Sequence, residues 1–209
     1  MRYSLLPDSG AGSHANGFWF SWVRFERFTV PYRKAHSSPI PHLWDFHTFI
    51  LSMKFNHLVE INDPLNPLIE PLTRRQLWLG LVLRAELPGM FVPWLDACSV
   101  TERCENAFSR ELRYGGLVVR DRVTLHPEHR VHYDVPAQKD IPASSLMMSI
   151  EEPHPEIFFV RFEYDDGTGD SEDEFYNDFR RSAYEKADID TIGIIRQLAE
   201  EGRLDSPPN

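Results

Sequence analysis

Phe108-Ser109-Arg110-Glu111-Leu112-Arg113-Tyr114-Gly115-Gly116-Leu117-Val118-Val119-Arg120-Asp121-Arg122-Val123 decides the fold, because a glycine pair stands between two runs in which apolar and polar residues alternate. A period of two marks a half-buried strand, and Gly-Gly between two such strands reads as a two-residue hairpin turn whose positive φ angles glycine accepts at little cost. The turn sets the register: with Tyr114 opposite Leu117, Leu112 faces Val119, Arg110 faces Asp121 and Phe108 faces Val123. The alternation, taken separately, puts Phe108, Leu112 and Tyr114 on the apolar face of one strand and Leu117, Val119, Val123 and Leu125 on that of the other. Both readings bring Arg110 and Asp121 together on the apolar face. An inward ion pair is costly to desolvate unless it is well hydrogen-bonded. It either locks the register of the hairpin or serves as a polar anchor in a ligand cavity, and both readings stay open here.

Further strand-like runs lie on either side. Strands are expected near 97–103, 107–114, 117–126, 130–135, 144–152 and 156–165, separated by turn residues with no helix between them, which predicts an antiparallel meander. Period-two bookkeeping turns Val131, Tyr133 and Val135 inward, then Leu146, Met148 and Ile150, then Phe158, Val160, Phe162 and Tyr164. Upstream, Phe55 to Ile61 alternates as a first strand with His57 on its inner face, and Asp63-Pro64-Leu65-Asn66-Pro67 ends it. Thr73 with Gln76 forms a capping box opening a helix with the apolar face Leu77, Trp78, Leu81, Val82 and Ala85, which Pro88-Gly89 closes. With a second short turn around Met90 to Trp94, two short helices are expected after the first strand.

Ser171 and Glu174 make a second capping box, after which Phe175, Tyr176, Phe179, Ala183, Ala187, Ile192 and Ile195 recur at helical spacing to about Arg203. Such a helix, roughly 30 residues or about 45 Å, must cross the whole sheet, with Asp188-Ile189-Asp190-Thr191 expected to kink or restart it. The fold class is therefore α+β: a curved antiparallel sheet around a long C-terminal helix with an apolar, ligand-sized interior.

Composition limits what the chain does. The 209 residues suffice for one core, and the net charge of −10 opposes binding to nucleic acid in the absence of a basic patch. No run approaches the roughly 18 apolar residues of a membrane span. Two cysteines, Cys98 and Cys104, cannot make a disulfide framework, which suits a reducing, cytoplasmic setting.

Residues 1–52 differ from the rest. They carry a net +2 against −12 for the remainder, and they scatter Trp19, Trp22 and Trp44 among Pro, His and Ser without a helical or strand period. Arg24, Glu26 and Arg27 break the only apolar run too early for a secretory signal. The expected organisation is an extension over 1–52, disordered or a mis-called start, a domain over 53–204 and a tail over 205–209. The alternative for the extension is an arm with an aromatic anchor that docks on a partner.

Few residues could carry chemistry. His57, Arg110, Asp121, Tyr133 and Tyr164 are the interior polar groups, and an apolar wall with a few convergent polar groups is the usual make-up of a small-molecule site. His57, Arg110 and Asp121 are the candidates for a catalytic role. The walls would be Phe108, Leu112, Val119, Met148, Phe158, Phe162 and Phe179 together with those polar groups. The imidazoles of His126, His129 and His132 straddle a hairpin tip where they need not converge, so no metal is expected. The acidic run 165–174 lacks the ligand spacing of a calcium loop and reads as a solvated loop beside a helix N-terminus. Serine-elbow, phosphate-loop, dinucleotide and zincin motifs are missing, and no cofactor is expected.

Met53-Lys54-Phe55-Asn56-His57-Leu58-Val59-Glu60-Ile61-Asn62-Asp63, Leu72-Thr73-Arg74-Arg75-Gln76-Leu77-Trp78, Gly80-Leu81-Val82-Leu83-Arg84-Ala85-Glu86, Asp121-Arg122-Val123-Thr124-Leu125 and Ser182-Ala183-Tyr184-Glu185-Lys186-Ala187-Asp188-Ile189-Asp190-Thr191-Ile192 resemble the AtaL-like family. Its members are START-like, helix-grip proteins akin to the birch-pollen allergens and polyketide cyclases. The resemblance covers 53–204 and implies seven antiparallel strands wrapped on the C-terminal helix with a hydrophobic cavity between them. It supplies no catalytic motif, and Arg103-Cys104-Glu105-Asn106 stands where the pollen allergens carry a glycine-rich loop.

The expected function is binding of a hydrophobic or aromatic small molecule by a monomer or homodimer, without nucleic acid or membrane. The alternatives are a polyketide cyclase or dehydratase using the same polar groups, and a protein-interaction module using the exposed helix face or the acidic loop.

Overall fold

In the computed structural model, residues 54–66, 68–139, 141–165 and 174–205 are described, and side chains in the last span from 177 onward. The expectations for residues 1–52, for Ser171, for the side chains of Phe175 and Tyr176 and for most of the acidic run fall outside these residues.

Seven strands form one antiparallel sheet: β1 (Lys54–Glu60), β2 (Ala97–Cys104), β3 (Ala107–Tyr114), β4 (Leu117–His126), β5 (Arg130–Val135), β6 (Ser144–His154) and β7 (Ile157–Asp165), in the order β1-β7-β6-β5-β4-β3-β2. All but β1 follow the chain as a meander, and β1 joins the far edge by pairing with β7. The β3–β4 register pairs Tyr114 with Leu117, Leu112 with Val119, Arg110 with Asp121 and Phe108 with Val123, as the glycine turn requires. Only Gly115 takes a positive φ, 58°, whereas positive angles were expected at both glycines. A positive φ at the first central residue alone is the pattern of a type II′ turn, which suits the twist of the strands it joins.

One α-helix, α1 (Arg74–Glu86), follows β1, and a three-residue 3-10 turn at Pro88–Met90 replaces the second expected helix. Pro88 fits the first position of that turn, but three residues complete no further α turn. The capping box is present: the Gln76 amide N–H donates to Thr73 Oγ1 at 3.1 Å, and the Thr73 N–H donates to Gln76 Oε1 at 3.0 Å. Every residue from Leu77 to Ala85 is buried, beyond the single apolar face that the spacing suggested, because α1 packs against the C-terminal helix as well as β5 and β6.

The C-terminal helix α2 (Glu174–Glu200) runs unbroken through Asp188–Thr191, contrary to the expected kink. It spans about 40 Å at 1.5 Å per residue. Thr191 closes its own hydroxyl onto the Ala187 carbonyl at 2.9 Å, a local bond that does not interrupt the helical ladder. Where α1 meets α2 the contact is close: a Cβ on Gly80 would lie 2.5 Å from Ile195 Cγ2.

The inward faces form cross-strand rows. One row runs Phe55, Tyr164, Leu146, Tyr133, Val123 and Phe108 across β1, β7, β6, β5, β4 and β3. The next runs His57, Phe162, Met148, Val131 and Leu125. Phe108, Val123, Val131, Met148, Val160 and Phe162 are at most 1% exposed and form the centre of the core. Phe179, expected on the inner face of the last helix, is 48% exposed and lies outside that core. It sits in the helix's N-terminal portion, four residues before Ala183, the first buried apolar residue among the described side chains of α2.

Candidate functional site

Two polar centres lie within the apolar interior. The first is the hairpin pair. Arg110 Nε donates to Asp121 Oδ1 at 2.9 Å, its Nη2 donates to Asp121 Oδ2, and its Nη1 donates to the Ala85 carbonyl at 2.5 Å. Both side chains are buried, and the bidentate fork satisfies carboxylate and guanidinium together. Burial, the largest single effect, pulls the Arg110 guanidinium down, but the bond to Asp121, the Asp121 charge, Tyr133 and Cys98 together outweigh it, so the group stays above its ordinary value and charged. Burial raises the neighbouring Cys98 thiol and pushes Tyr114 up to about 12.

The second centre joins β1, β7, α1 and α2. The carboxylate of Asp188, fully buried on α2, accepts from His57 Nε2 at 2.7 Å and from the Tyr164 hydroxyl at 2.8 Å. The His57 ring stacks on Phe55 at 5.5 Å and on Phe162 at 5.3 Å, and Tyr164 stacks on Tyr184 at 4.3 Å. Burial raises the Asp188 carboxyl, an effect opposed by the His57 bond, by the charge of Arg84 and by the Tyr164 bond. Burial also holds the Tyr164 phenol well above its usual value, with the Asp188 charge adding to it. With Nε2 as donor, the basic atom of His57 is Nδ1, and Asp188 orients the ring much as a carboxylate orients a catalytic imidazole.

Arg84 of α1 stands between the two centres. Its Nε donates to Thr191 Oγ1 at 3.3 Å, and its guanidinium lies 5.6 Å from the centroid of the Tyr133 ring, with Arg110 at 5.1 Å from the same ring. Burial lowers its proton affinity, and Tyr133, Tyr164 and Asp188 more than offset this, leaving Arg84 above its ordinary value. Tyr133, 6% exposed, has a hydroxyl without a hydrogen bond, and the buried Ser144 hydroxyl on the next strand has none either.

Of the side chains expected at the site, Arg110, Asp121 and Tyr133 come together at one centre and His57 and Tyr164 at the other. Phe108, Leu112, Val119, Met148, Phe158 and Phe162 are buried core residues, whereas Phe179 is largely exposed. Sequence reasoning missed Arg84, Asp188 and Thr191. The signal was present, since Tyr184, Asp188, Thr191 and Ile195 recur at spacings of four and three, and Arg84 follows Leu77 and Leu81 by seven and three. Among the described residues, no three His, Cys, Asp or Glu side chains converge as metal ligands, and no helix is long and apolar enough to cross a membrane.

Solved structures of similar fold include Ara h 8.0201, with a TM-score of 0.50 and 12% identity, covering 71% of this chain and 98% of that one. The di-domain ARO/CYC proteins BexL, of the BE-7585A biosynthetic pathway, and StfQ, of the steffimycin pathway, each give a TM-score of 0.51. They are 16% and 14% identical over 76% and 72% of this chain, which spans 52% of either of them. At these identities the likeness is one of fold. No match was found among curated proteins. Residues 59–202, which hold the whole sheet beyond most of β1 and both interior centres except His57, match the family described as acetylaranotin biosynthesis cluster protein L, and the chain belongs to this AtaL family.

Proposed function

We propose that the chain binds a hydrophobic or aromatic small molecule between the inner face of the sheet and α2. The observation that carries this reading is a gradient of burial along one row of inward side chains. Phe108, Val123 and Tyr133 are closed off at one end, while Leu146, Tyr164 and Phe55 at the β1–β7 end stay half-buried despite facing the helix. A sheet and helix that packed only for stability would close such side chains, because full burial of an exposed one is worth about 1.5–3 kcal/mol and part of that remains to be gained here. The half-open row is apolar, with His57, Tyr164 and Arg84 as its few polar groups, the mix expected of a small-molecule site.

Native mass spectrometry of the protein purified from its own host tests this. A non-covalent adduct that is released on denaturation is expected. An adduct-free mass, combined with an experimental structure in which helix and sheet pack solidly along the Phe55–Tyr133 row, would overturn it.

A second reading, a cyclase or dehydratase acting on a polyketide-type substrate, is favoured by the His57–Asp188–Tyr164 set. A base oriented by a buried carboxylate beside a phenol can move a proton at a bound carbonyl compound. The description of the family as a biosynthesis-cluster protein, and the likeness in fold to the ARO/CYC proteins BexL and StfQ, point the same way. On this reading His57→Ala and Asp188→Asn abolish turnover while the ligand still binds. Full turnover in both folded variants would reject it.

A further inference from the structure

The two interior guanidinium groups are not equivalent. Arg110 is satisfied on three sides, by both oxygens of Asp121 and by the Ala85 carbonyl. Arg84 is 7% exposed, and its one hydrogen bond, 3.3 Å from Nε to Thr191, engages a hydroxyl whose proton is already given to Ala187. The Tyr133 hydroxyl lies beside Arg84 and raises its proton affinity, in part as a hydrogen-bond acceptor, although no bond of ordinary hydrogen-bond geometry joins them. Among the described residues, the two terminal nitrogens of Arg84 have no acceptor within ordinary hydrogen-bond geometry. Asp188, the nearby carboxylate, forms no ion pair with it, since the Asp188 oxygens are engaged by His57 and Tyr164. A buried cation without a hydrogen-bonded partner is among the least favourable arrangements a core can hold.

The group beside it is unsatisfied too. The Arg84 guanidinium stands over the Tyr133 ring, and the Tyr133 hydroxyl, buried and unbonded, is held on the same interior face. Ser144 adds another unbonded hydroxyl on the next strand, two positions along β6 from Leu146, which pairs with Tyr133. Among the described residues, these hydroxyls and the terminal Arg84 nitrogens thus gather in an apolar interior without hydrogen bonds of ordinary geometry.

We propose that Arg84 and Tyr133 form an anion-recognition point, so that the bound molecule is an apolar or aromatic compound carrying an acidic oxygen, a carboxylate, phenolate or enolate, that docks on the terminal nitrogens of Arg84 and accepts from the Tyr133 hydroxyl. A planar guanidinium fork suits a planar, delocalised oxyanion better than an ammonium does. This rests on the binding reading above and narrows it to a class of ligand. Thr191 acts as a positioning residue, holding Nε so that the terminal nitrogens point away from α2.

The test compares two fluorescent probes of one skeleton, 8-anilinonaphthalene-1-sulfonate and its uncharged counterpart N-phenyl-1-naphthylamine, titrated into the full chain and into Arg84→Met, Arg84→Lys and Tyr133→Phe. The wild type should prefer the anionic probe. Arg84→Met should weaken that probe about tenfold or more relative to the neutral one, as expected for loss of a charge-assisted bond. Arg84→Lys should fall between the two, and Tyr133→Phe should cost the anionic probe several-fold. Circular dichroism and thermal unfolding report whether each variant folds; if Arg84→Met does not, Arg84→Lys and Tyr133→Phe decide. Binding of both probes with a ratio unmoved by these substitutions overturns the anion-recognition point and leaves the binding reading standing. Failure of both probes to bind the wild type overturns the binding reading itself.

Discussion

The hairpin centre and the helix centre bury the same kinds of group, an arginine and an aspartate each, and differ in how they are satisfied. Arg110 and Asp121 face one another across adjacent strands and share two hydrogen bonds, while a third Arg110 donor goes to the Ala85 carbonyl. Arg84 and Asp188 come from two different helices and do not pair. Asp188 turns to His57 and Tyr164, and Arg84 keeps its terminal donors unengaged. A closed pair of this kind stabilises or fixes register and needs nothing from outside. An open set retains unspent polar groups in a low-dielectric interior, which is the condition for recognising a ligand or moving a proton. On the proposed reading, the contrast leaves the hairpin pair to structure and puts the helix centre at the ligand.

The largest effect should come from breaking the closed pair. Asp121→Leu leaves the Arg110 charge buried, and urea denaturation should show a loss of about 3–5 kcal/mol. Adding Arg110→Met should restore most of that loss, since a matched apolar pair carries no stranded charge. A double variant no more stable than the single one would mean that Arg110 and Asp121 do more than satisfy each other.

The approach of the two helices is the next point of attack. Gly80→Ala places a Cβ against the buried Ile195, and crowding of about 1–3 kcal/mol should outweigh the roughly 1 kcal/mol gained in helix propensity. It should also disturb the Arg84–Thr191 contact between the same helices, which anion-probe binding would register. A Gly80→Ala variant of unchanged stability and binding would show that the spacing of α1 and α2 does not set the open centre.

Asp188→Asn sharpens the contrast through pH. Because burial raises the Asp188 carboxyl above its ordinary value of 3.8, the folded state holds that proton more tightly than the unfolded chain does. The contribution to stability is fully present below the ordinary value and is lost as pH rises through the raised one. The stability of the wild type minus that of the variant should therefore fall over that window and then level off. A difference that grows with pH would contradict it.

Tyr133→Phe should have the smallest effect on the ligand-free protein. The hydroxyl it removes has no hydrogen bond, so unfolding should show anything from no change to a gain of up to about 1 kcal/mol. A clear loss of stability would mean that the hydroxyl has a partner in solution and that the centre is less open than its geometry indicates.

The closed centre was legible in the sequence because it is local: Gly115-Gly116 fixes one end, the period of two fixes the face, and eleven residues of separation leave no other partner to consider. The same two rules account for the six meander strands and most of the inward side chains, and the Thr73–Gln76 capping box located the start of α1. The sequence was less informative at Gly116, whose φ stays out of the positive region, at the second short helix, which is only a 3-10 turn, and at Phe179, which the end of the helix leaves exposed.

By itself, then, the sequence determined the strands, their register and the buried Arg110–Asp121 pair, since turn chemistry and periodicity act between neighbours. Only the tertiary structure decided that Asp188 would be a buried acceptor instead of a helix-breaking surface residue, that it would meet a histidine 131 positions away, and that Arg84 would lie beside Tyr133. An aspartate or arginine on a helix reads as solvated until a second element covers it, and the covering elements here, β1, β7 and the facing helix, are brought in by packing that no local pattern encodes.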